Sequence, residues 1–148
     1  QRVFGRQETF TVEDKDVMLN LIKNPVGFNQ IVQLLSYEKE PFSLGVLLND
    51  NPADGQDVSW IWDGDFEWLH ALNAVDTAIS GIRVEDLGVR MEVAGFENMK
   101  VFKTNAELID WIRKAPTKKV NVLATHTALL DLRKDFAKEG YLKEGMNG

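Results

Sequence analysis

The sequence predicts an α/β domain with a mainly parallel sheet that is covered by helices on both faces. Three short, almost continuously apolar segments, at 17–22, 42–48 and 120–124, are typical of strands buried on both faces. Between such segments, apolar residues recur every three or four positions, as they do in amphipathic helices. This alternation favours a parallel sheet, because parallel strands are joined by helical crossovers.

The first half of the chain follows this pattern. Alternation over 8–12 predicts a short strand, and 17–22 predicts the first buried one. A helix is expected next, with Asn24 as N-cap and Pro25 in the first turn. Five apolar residues are expected to form its inward stripe: Val26, Ile31, Val32, Leu34 and Leu35. A second buried strand at 42–48 then runs into the polar segment 49–57, and an aromatic-rich segment leads into a helix ending near Asn73.

The second half repeats the alternation. Strands are predicted at 77–81, 99–102 and 120–124. The first is followed by a helix whose inward face consists of Val84, Leu87, Met91 and Ala94, with Gly95 as C-cap. Thr104 and Glu107 form a capping-box pattern that predicts the start of the next helix. The last helix is expected to begin at Thr127 and to turn Leu129, Leu130, Leu132 and Phe136 inward.

Composition limits the classes of function. The chain has 148 residues and a formal net charge of -6, which argues against nucleic acid or an anionic membrane surface as the main partner. It contains no cysteine, so it carries no disulfide, thiolate metal site or cysteine nucleophile. No apolar run approaches the roughly 18–20 residues that cross a bilayer. We therefore expect a soluble, intracellular domain that belongs to a longer protein.

Chemistry is expected at one edge of the sheet, because loops and helix N-termini converge outside the carboxyl ends of parallel strands. Three polar segments follow buried strands directly: 23–27, 49–57 and 125–127. In the first, Lys23 and Asn24 could present an anion site at a helix N-terminus, or could be only a strand end and an N-cap. The second segment, 49–57, which we call the acidic loop, contains most of the candidate functional residues.

Six carboxylates lie between residues 50 and 67: Asp50, Asp54, Asp57, Asp63, Asp65 and Glu67. An EF-hand is excluded, because a loop starting at Asp50 would place Pro52 and Ile61 at ligand positions. A looser magnesium site using one or two carboxylates and a nucleotide phosphate stays open, as does the simpler alternative of turns, caps and solvated charges. Asp57 fits the simpler alternative least. It precedes large apolar residues, so we expect it near a buried surface and in need of a partner.

Two further patterns bear on function. The tryptophans at 60, 62 and 68 are suited either to core packing or to a protein interface, whereas Trp111 is expected in the core. No P-loop, GxGxxG, HExxH or GxSxG pattern occurs. The chain therefore lacks a complete catalytic set of its own.

Four segments carry a resemblance to a known family: LIKNPVGFN at 21–29, LLNDNPADGQDVSWIWDGDFE at 47–67, SGIRVEDLGVRMEVAG at 80–95 and THTALLDLRK at 125–134. Together they resemble the carboxyl-terminal domain of the MurT family, the Mur-ligase-like subunits of bacterial lipid II isoglutaminyl synthase. The resemblance spans nearly all of residues 7–140. It implies a Rossmann-like carboxyl-terminal domain at 15–140, preceded at 1–14 by a connector from an ATP-binding domain and followed at 141–148 by a tail.

The resemblance also implies an activity. Members of this family belong to two-subunit ligases that amidate the D-glutamate of lipid II with ATP and glutamine, in the cytoplasm at the inner face of the membrane. A GatD-like glutaminase partner carries the cysteine and histidine of a catalytic triad, and the MurT-type subunit supplies the aspartate. Aligned by the GQDVSW motif, this aspartate is Asp57. The carboxylate would fix the histidine tautomer and stabilise the imidazolium.

Other roles implied by the resemblance are less direct. Mur-ligase carboxyl-terminal domains close over nucleotide and substrate, which makes Lys23, Asn24, Asn49, Asp50 and Asn51 candidate closure contacts. The glycine-rich loop and the zinc ribbon of complete members do not occur in this sequence. We therefore expect ATP and Mg²⁺ on the full-length subunit, and neither a tightly bound cofactor nor a metal on this domain. The alternative is a non-catalytic docking domain that binds the glutaminase through the acidic loop and the tryptophan cluster.

Overall fold

The computed structural model describes residues 2–4, as backbone, and residues 7–143. Positions 1, 5, 6 and 144–148, which include parts of the predicted connector and tail, lie outside the described residues. The strands are β1 (Arg2–Phe4), β2 (Gln7–Val12), β3 (Lys15–Leu21), β4 (Phe42–Leu47), β5 (Thr77–Ser80), β6 (Lys100–Val101) and β7 (Lys119–Ala124). The α-helices are α1 (Pro25–Ser36), α2 (Phe66–Ala71), α3 (Val84–Ala94), α4 (Asn105–Arg113) and α5 (His126–Lys138), and two 3₁₀ helices span Pro52–Asp54 and Val58–Trp62.

The strands form one mixed sheet in the order β1-β2-β3-β7-β4-β5-β6. The neighbouring pairs β3–β7, β7–β4, β4–β5 and β5–β6 are parallel. At one end of the sheet, the pairs β1–β2 and β2–β3 are antiparallel. Leu47 of β4 pairs with both Ala124 of β7 and Ser80 of β5, so the carboxyl ends of three strands coincide. The prediction of a mainly parallel sheet is confirmed.

Helices cover both faces of the sheet, as predicted. On one face, α1, α2 and α3 pack over β4 and β5, around a core that includes Phe28, Leu44, Ile79, Leu87 and Met91. On the other face, α4 and α5 enclose a second core that includes Phe10, Leu19, Trp111, Leu132 and Phe136. None of the helices in the described part of the chain combines the length and apolar character that a bilayer crossing requires.

Three predicted helix ends are confirmed, whereas α5 begins at His126 and not at Thr127, and α2 ends at Ala71 and not near Asn73. The Asn24 side chain accepts a hydrogen bond from the Gly27 N–H at 2.8 Å, which makes Asn24 the N-cap of α1. Gly95 ends α3 in the left-handed conformation, with φ of 115°. Thr104 and Glu107 form the capping box of α4.

Three residues expected to face inward are exposed, and those assignments were wrong: Val26 is 68% exposed, Leu34 42% and Leu130 37%. The angular spacing of about 100° per residue explains them. In α1 the buried face is centred on Phe28, Ile31 and Leu35. Val26 lies almost opposite this centre and Leu34 beyond its edge, while Leu130 is turned away from Ala128 and Leu132 in the same manner.

The amino-terminal segment contributes directly to the sheet. β2 pairs with β3 from Gln7↔Asn20 to Val12↔Lys15, and Phe10 and Val12 are buried. Glu8 forms a buried ion pair with Arg133 of α5. Residues 7–12 are therefore part of the folded domain, although the domain was expected to start at 15. Leu142, in the predicted tail, is also buried. A connection from residues 1–14 to an upstream domain stays a prediction.

Candidate functional site

Loops from three strands meet at the carboxyl edge of the sheet, and Asn49 joins them. Its main-chain N–H donates to the Thr125 hydroxyl at 2.8 Å and its side-chain amide donates to the Thr127 hydroxyl at 2.9 Å. Its amide oxygen accepts from the Ile82 N–H at 2.8 Å. Asn49 is 7% exposed. Two of the three polar segments predicted to share this edge, 49–57 and 125–127, are thus in direct contact.

Hydrogen bonds between Asp54 and Thr127 join the acidic loop to α5. This carboxylate is 6% exposed and accepts from the Thr127 N–H at 2.7 Å, from the Thr127 hydroxyl at 2.6 Å and from the Asn51 N–H at 3.0 Å. It occupies the N-terminus of α5, where main-chain N–H groups and the helix dipole favour negative charge. The sequence pattern did not predict a contact between Asp54 and α5, so this role was missed.

Asp57 lies three residues further along and is exposed, contrary to the expected position near a buried surface. It is the N-cap of the 3₁₀ helix Val58–Trp62, and its Oδ1 accepts from the Ser59 N–H at 2.9 Å. The helix buries Val58 and Ile61 instead, whereas the Asp57 carboxylate is held at the helix N-terminus by its cap hydrogen bond. Hydrogen bonds from the Ser59 hydroxyl and N–H lower the pKa of Asp57 below its usual range. An ionised carboxylate thus faces solvent in a fixed direction.

The tryptophans near Asp57 separate into two groups. Trp60 and Trp68 are partly buried against the core, and Trp60 lies 6.1 Å from Phe28 between ring centroids. Trp62, by contrast, is 50% exposed, and its ring lies 5.1 Å from the Arg90 guanidinium carbon. Trp111 is in the core, as predicted. Trp62 is therefore the exposed tryptophan of the 3₁₀ helix that follows the acidic loop.

The remaining candidate contacts are partly used within the fold. Lys23 is exposed, whereas Asn24 serves as the N-cap of α1. Asp50 pairs with Arg83 at 2.9 Å, and the Asn51 side-chain amide donates to the Thr127 hydroxyl at 3.0 Å. Asn51, Asn49 and Asp54 therefore converge on Thr127. Roles of these residues in domain closure stay predictions.

Two helix N-termini at this edge, those of α1 and α5, are capped by the chain's own side chains. The Asn24 amide oxygen and the Asp54 carboxylate accept from the first turns of α1 and α5. These groups occupy the positions in which helix N-termini bind phosphate. A cleft of about 350 Å³ beside α5 is lined by Asn49, Asn51, Gly81, Lys103, Asn105 and Asp131, among others. Within residues 7–143, no three His, Asp or Glu side chains form a group suited to a metal ion.

The sequence matches a family model described as "MurT ligase C-terminal" over residues 21–129. It is 40% identical over 147 residues to the lipid II isoglutaminyl synthase (glutamine-hydrolyzing) subunit MurT of Streptococcus pneumoniae, with 98% of this chain and 33% of the relative covered. The subunit of the same name from Staphylococcus aureus strain COL is 35% identical over 112 residues, covering 72% of this chain and 26% of the relative. The chain thus spans about a third or less of these relatives.

Solved structures share the fold at low sequence identity. Folylpolyglutamate synthase from Mycobacterium tuberculosis, complexed with ADP and AMPPCP, matches with a TM-score of 0.61 and 16% identity over 95% of this chain and 34% of that chain. UDP-N-acetylmuramate-alanine ligase MurC from Thermotoga maritima matches with a TM-score of 0.52 and 10% identity over 88% and 28% of the two chains. These likenesses establish the Mur-ligase type of fold. Together with the family model and the 40% identity, they show that the chain belongs to the MurT ligase carboxyl-terminal family.

Proposed function

We propose that this chain is the carboxyl-terminal domain of the synthetase subunit of a glutamine-dependent ligase that amidates the D-glutamate of lipid II. The names of its relatives, lipid II isoglutaminyl synthase (glutamine-hydrolyzing) subunit MurT, support this proposal. In it, Asp57 completes the catalytic triad of a GatD-like glutaminase partner, and the assembled enzyme acts in the cytoplasm at the inner face of the membrane.

The exposed, ionised carboxylate of Asp57 carries the proposal. Its pKa is held below the usual range, so it is charged at neutral pH, and its cap hydrogen bond to Ser59 fixes its direction. Docked against a partner, such a carboxylate can accept a hydrogen bond from a histidine ring N–H. It would select the tautomer that deprotonates the nucleophilic thiol and would stabilise the imidazolium that results.

We assign ATP to the full-length subunit outside this domain. Phosphate groups favour helix N-termini with free N–H groups, and those of α1 and α5 already donate to Asn24 and Asp54. ATP would supply the activating phosphoryl group for the ligase reaction. The domain would contribute Asp57 to ammonia production and Lys23, Asn24, Asn49, Asp50 and Asn51 to domain closure.

The test is Asp57→Asn in the full-length subunit, co-expressed with the glutaminase. Asparagine is as good an N-cap as aspartate, so the 3₁₀ helix is expected to persist. Glutamine hydrolysis should fall by up to about 10⁴-fold, as in triads that lose their carboxylate. The matched control is Asp65→Asn, because Asp65 is also an exposed N-cap carboxylate, accepting from the Trp68 N–H at 2.9 Å. A normal hydrolysis rate in Asp57→Asn would overturn the assignment.

The second candidate is a docking domain without a catalytic carboxylate, and the exposure of Trp62 favours it. A half-exposed tryptophan on the helix that follows the acidic loop is suited to binding a partner. In this case Asp57→Asn would weaken the complex and lower hydrolysis only in proportion to the amount bound. Measuring the dissociation constant of the heterodimer together with the hydrolysis rate at saturating partner separates the two functions.

A further inference from the structure

The 3₁₀ helix that Asp57 caps has little stability of its own. It spans five residues, Val58–Trp62, and short 3₁₀ helices have poorer hydrogen-bond geometry than α-helices. Val58 and Ile61 anchor one side of it in the core. Its orientation must therefore be set by tertiary contacts, and these also set the position of the Asp57 carboxylate.

A buried polar contact to this helix comes from Arg90 of α3, which is 3% exposed. Its Nε donates to the Ile61 carbonyl at 2.7 Å and its Nη2 donates to the Gly64 carbonyl at 2.9 Å. These carbonyls lie at the carboxyl end of the 3₁₀ helix, where intrahelical donors run out. Arg90 thus binds the end of the helix opposite to Asp57.

The guanidinium is itself held on several sides. Nη1 and Nη2 each donate to the Glu67 carboxylate at 2.8 Å. The Arg90 guanidinium carbon also lies 5.1 Å from the ring centroids of both Trp62 and Phe66. A planar group with five donors is suited to bridging two carbonyls and a carboxylate in this way, and lysine has no equivalent fork. The 3₁₀ helix, α2 and α3 are therefore joined at one point.

We propose that Arg90 is a positioning residue for Asp57, because it fixes the orientation of the 3₁₀ helix from its carboxyl end. The inference rests on the proposed role of Asp57 in the glutaminase triad. Arg90 does not contact the reacting groups. At a rise of about 2 Å per residue, the helix places Asp57 roughly 10 Å from the carbonyls that Arg90 binds. A displacement of about 1 Å at a catalytic group can lower a rate by about 100-fold.

A double-mutant cycle tests this inference in the full-length subunit bound to its glutaminase partner. The variants are Arg90→Lys, Asp57→Asn and the combination of both. The readouts are kcat and KM for glutamine hydrolysis, and the rate at which iodoacetamide alkylates the partner's nucleophilic cysteine. The alkylation rate stays measurable in slow variants.

We expect Arg90→Lys to lower kcat by about 10- to 100-fold and to leave KM for glutamine within about twofold. In the Asp57→Asn background the same change should have no further effect on either rate, because the carboxylate it positions is gone. The matched control is Arg133→Lys, which replaces another buried arginine, paired with Glu8 on the opposite face of the sheet. This control should be destabilised without loss of kcat in the assembled complex.

The outcomes distinguish this inference from the proposed function. A normal kcat in Arg90→Lys together with an impaired Asp57→Asn overturns the role of Arg90 and leaves that of Asp57. A normal kcat in Asp57→Asn overturns both. An equal loss from Arg90→Lys in both backgrounds means that Arg90 acts on something other than Asp57, and the inference is then wrong.

If Arg90→Lys does not assemble, Glu67→Gln replaces it in the cycle. Glu67 is more exposed than Arg90, and its replacement removes only the charged support of the guanidinium. Glu67→Gln should lower kcat by a smaller factor, and this loss should also vanish in the Asp57→Asn background. A normal kcat in Glu67→Gln would then overturn the inference.

Discussion

The Asp54 carboxylate accepts hydrogen bonds from both the main-chain N–H and the hydroxyl of Thr127, at 2.7 and 2.6 Å. It thereby joins the acidic loop, which carries Asp57, to the first turn of α5.

We expect Asp54→Asn to lower the free energy of unfolding by about 1–3 kcal/mol, because the NH₂ group that replaces one carboxylate oxygen cannot accept the hydrogen bond that this oxygen receives from Thr127. Urea unfolding of the chain at neutral pH measures the difference. Asp131→Asn, an exposed change on α5, is the control and should stay within about 0.5 kcal/mol of the wild type. Equal stability of Asp54→Asn and the control would contradict a structural role for Asp54.

The Arg90–Glu67 pair predicts a pH dependence of stability. Hydrogen bonding to Arg90 lowers the pKa of Glu67 from 4.5 to about 2. A carboxyl whose pKa is lowered on folding stabilises the fold above its unfolded pKa, and this contribution disappears as the pH falls through the folded pKa. Wild type should therefore be more stable than Glu67→Gln at pH 6, and the difference should shrink between about pH 4.5 and 2.

Urea unfolding of both proteins across this pH range provides the measurement. More than half of the Glu67 side chain is exposed, so solvent screening should keep the difference small. A difference that stays constant from pH 6 to pH 2 would show that the ion pair contributes no pH-dependent stability.

Gly81 should tolerate no side chain. It has φ of 109°, and a Cβ there would lie 2.4 Å from the Leu48 carbonyl oxygen and 2.7 Å from the Leu48 nitrogen. Gly81→Ala should lower the free energy of unfolding by about 1–2 kcal/mol through backbone strain and by about 1–3 kcal/mol more through steric overlap.

Gly55→Ala is the matched control, since Gly55 has φ of 86° but no neighbouring atom within 4 Å of the position that a Cβ would take. It should show the backbone strain alone. Thermal unfolding of both variants measures the two costs. If they are equal, the close approach to Leu48 has no energetic consequence.

Trp62→Ala separates folding from partner binding. Half of Trp62 is exposed, so its removal should lower stability by no more than about 1 kcal/mol, mostly through loss of the contact with Arg90. If the exposed side of the 3₁₀ helix Val58–Trp62 binds the glutaminase, the same change should weaken the heterodimer by at least about tenfold, which titration calorimetry can measure. Trp60→Phe, in a partly buried tryptophan, is the comparison and should leave binding close to normal. An unchanged dissociation constant in Trp62→Ala would exclude Trp62 from the interface.

Local patterns predicted most of the fold, because they depend on neighbours in the chain. The Asn24 cap, the Thr104–Glu107 capping box and the apolar strands at 42–48 and 120–124 each require only a few consecutive residues. The exposed positions of Val26 and Leu130 could have been expected from helical geometry, had the buried face been centred correctly.

The candidate site was only partly predictable. The motif resemblance selected Asp57, but the exposure of this carboxylate depends on how the 3₁₀ helix packs. Arg90 left a weak signal, since helical spacing places this charged residue between Leu87 and Ala94 on the buried face of α3. The sequence also contained a weak signal for Asp54, which is an acidic residue three positions after Asn51.

The amino-acid sequence alone determines the order of strands and helices, the family to which the chain belongs and the absence of a thiol. Which carboxylates are buried and which face solvent follows only from the folded arrangement. Asp54 and Asp57 lie three positions apart in one polar loop, and the local pattern does not determine which of the two carboxylates is buried. Their environments differ because β4 and β7 are neighbours in the sheet, which brings the N-terminus of α5 to Asp54 and leaves Asp57 at the surface.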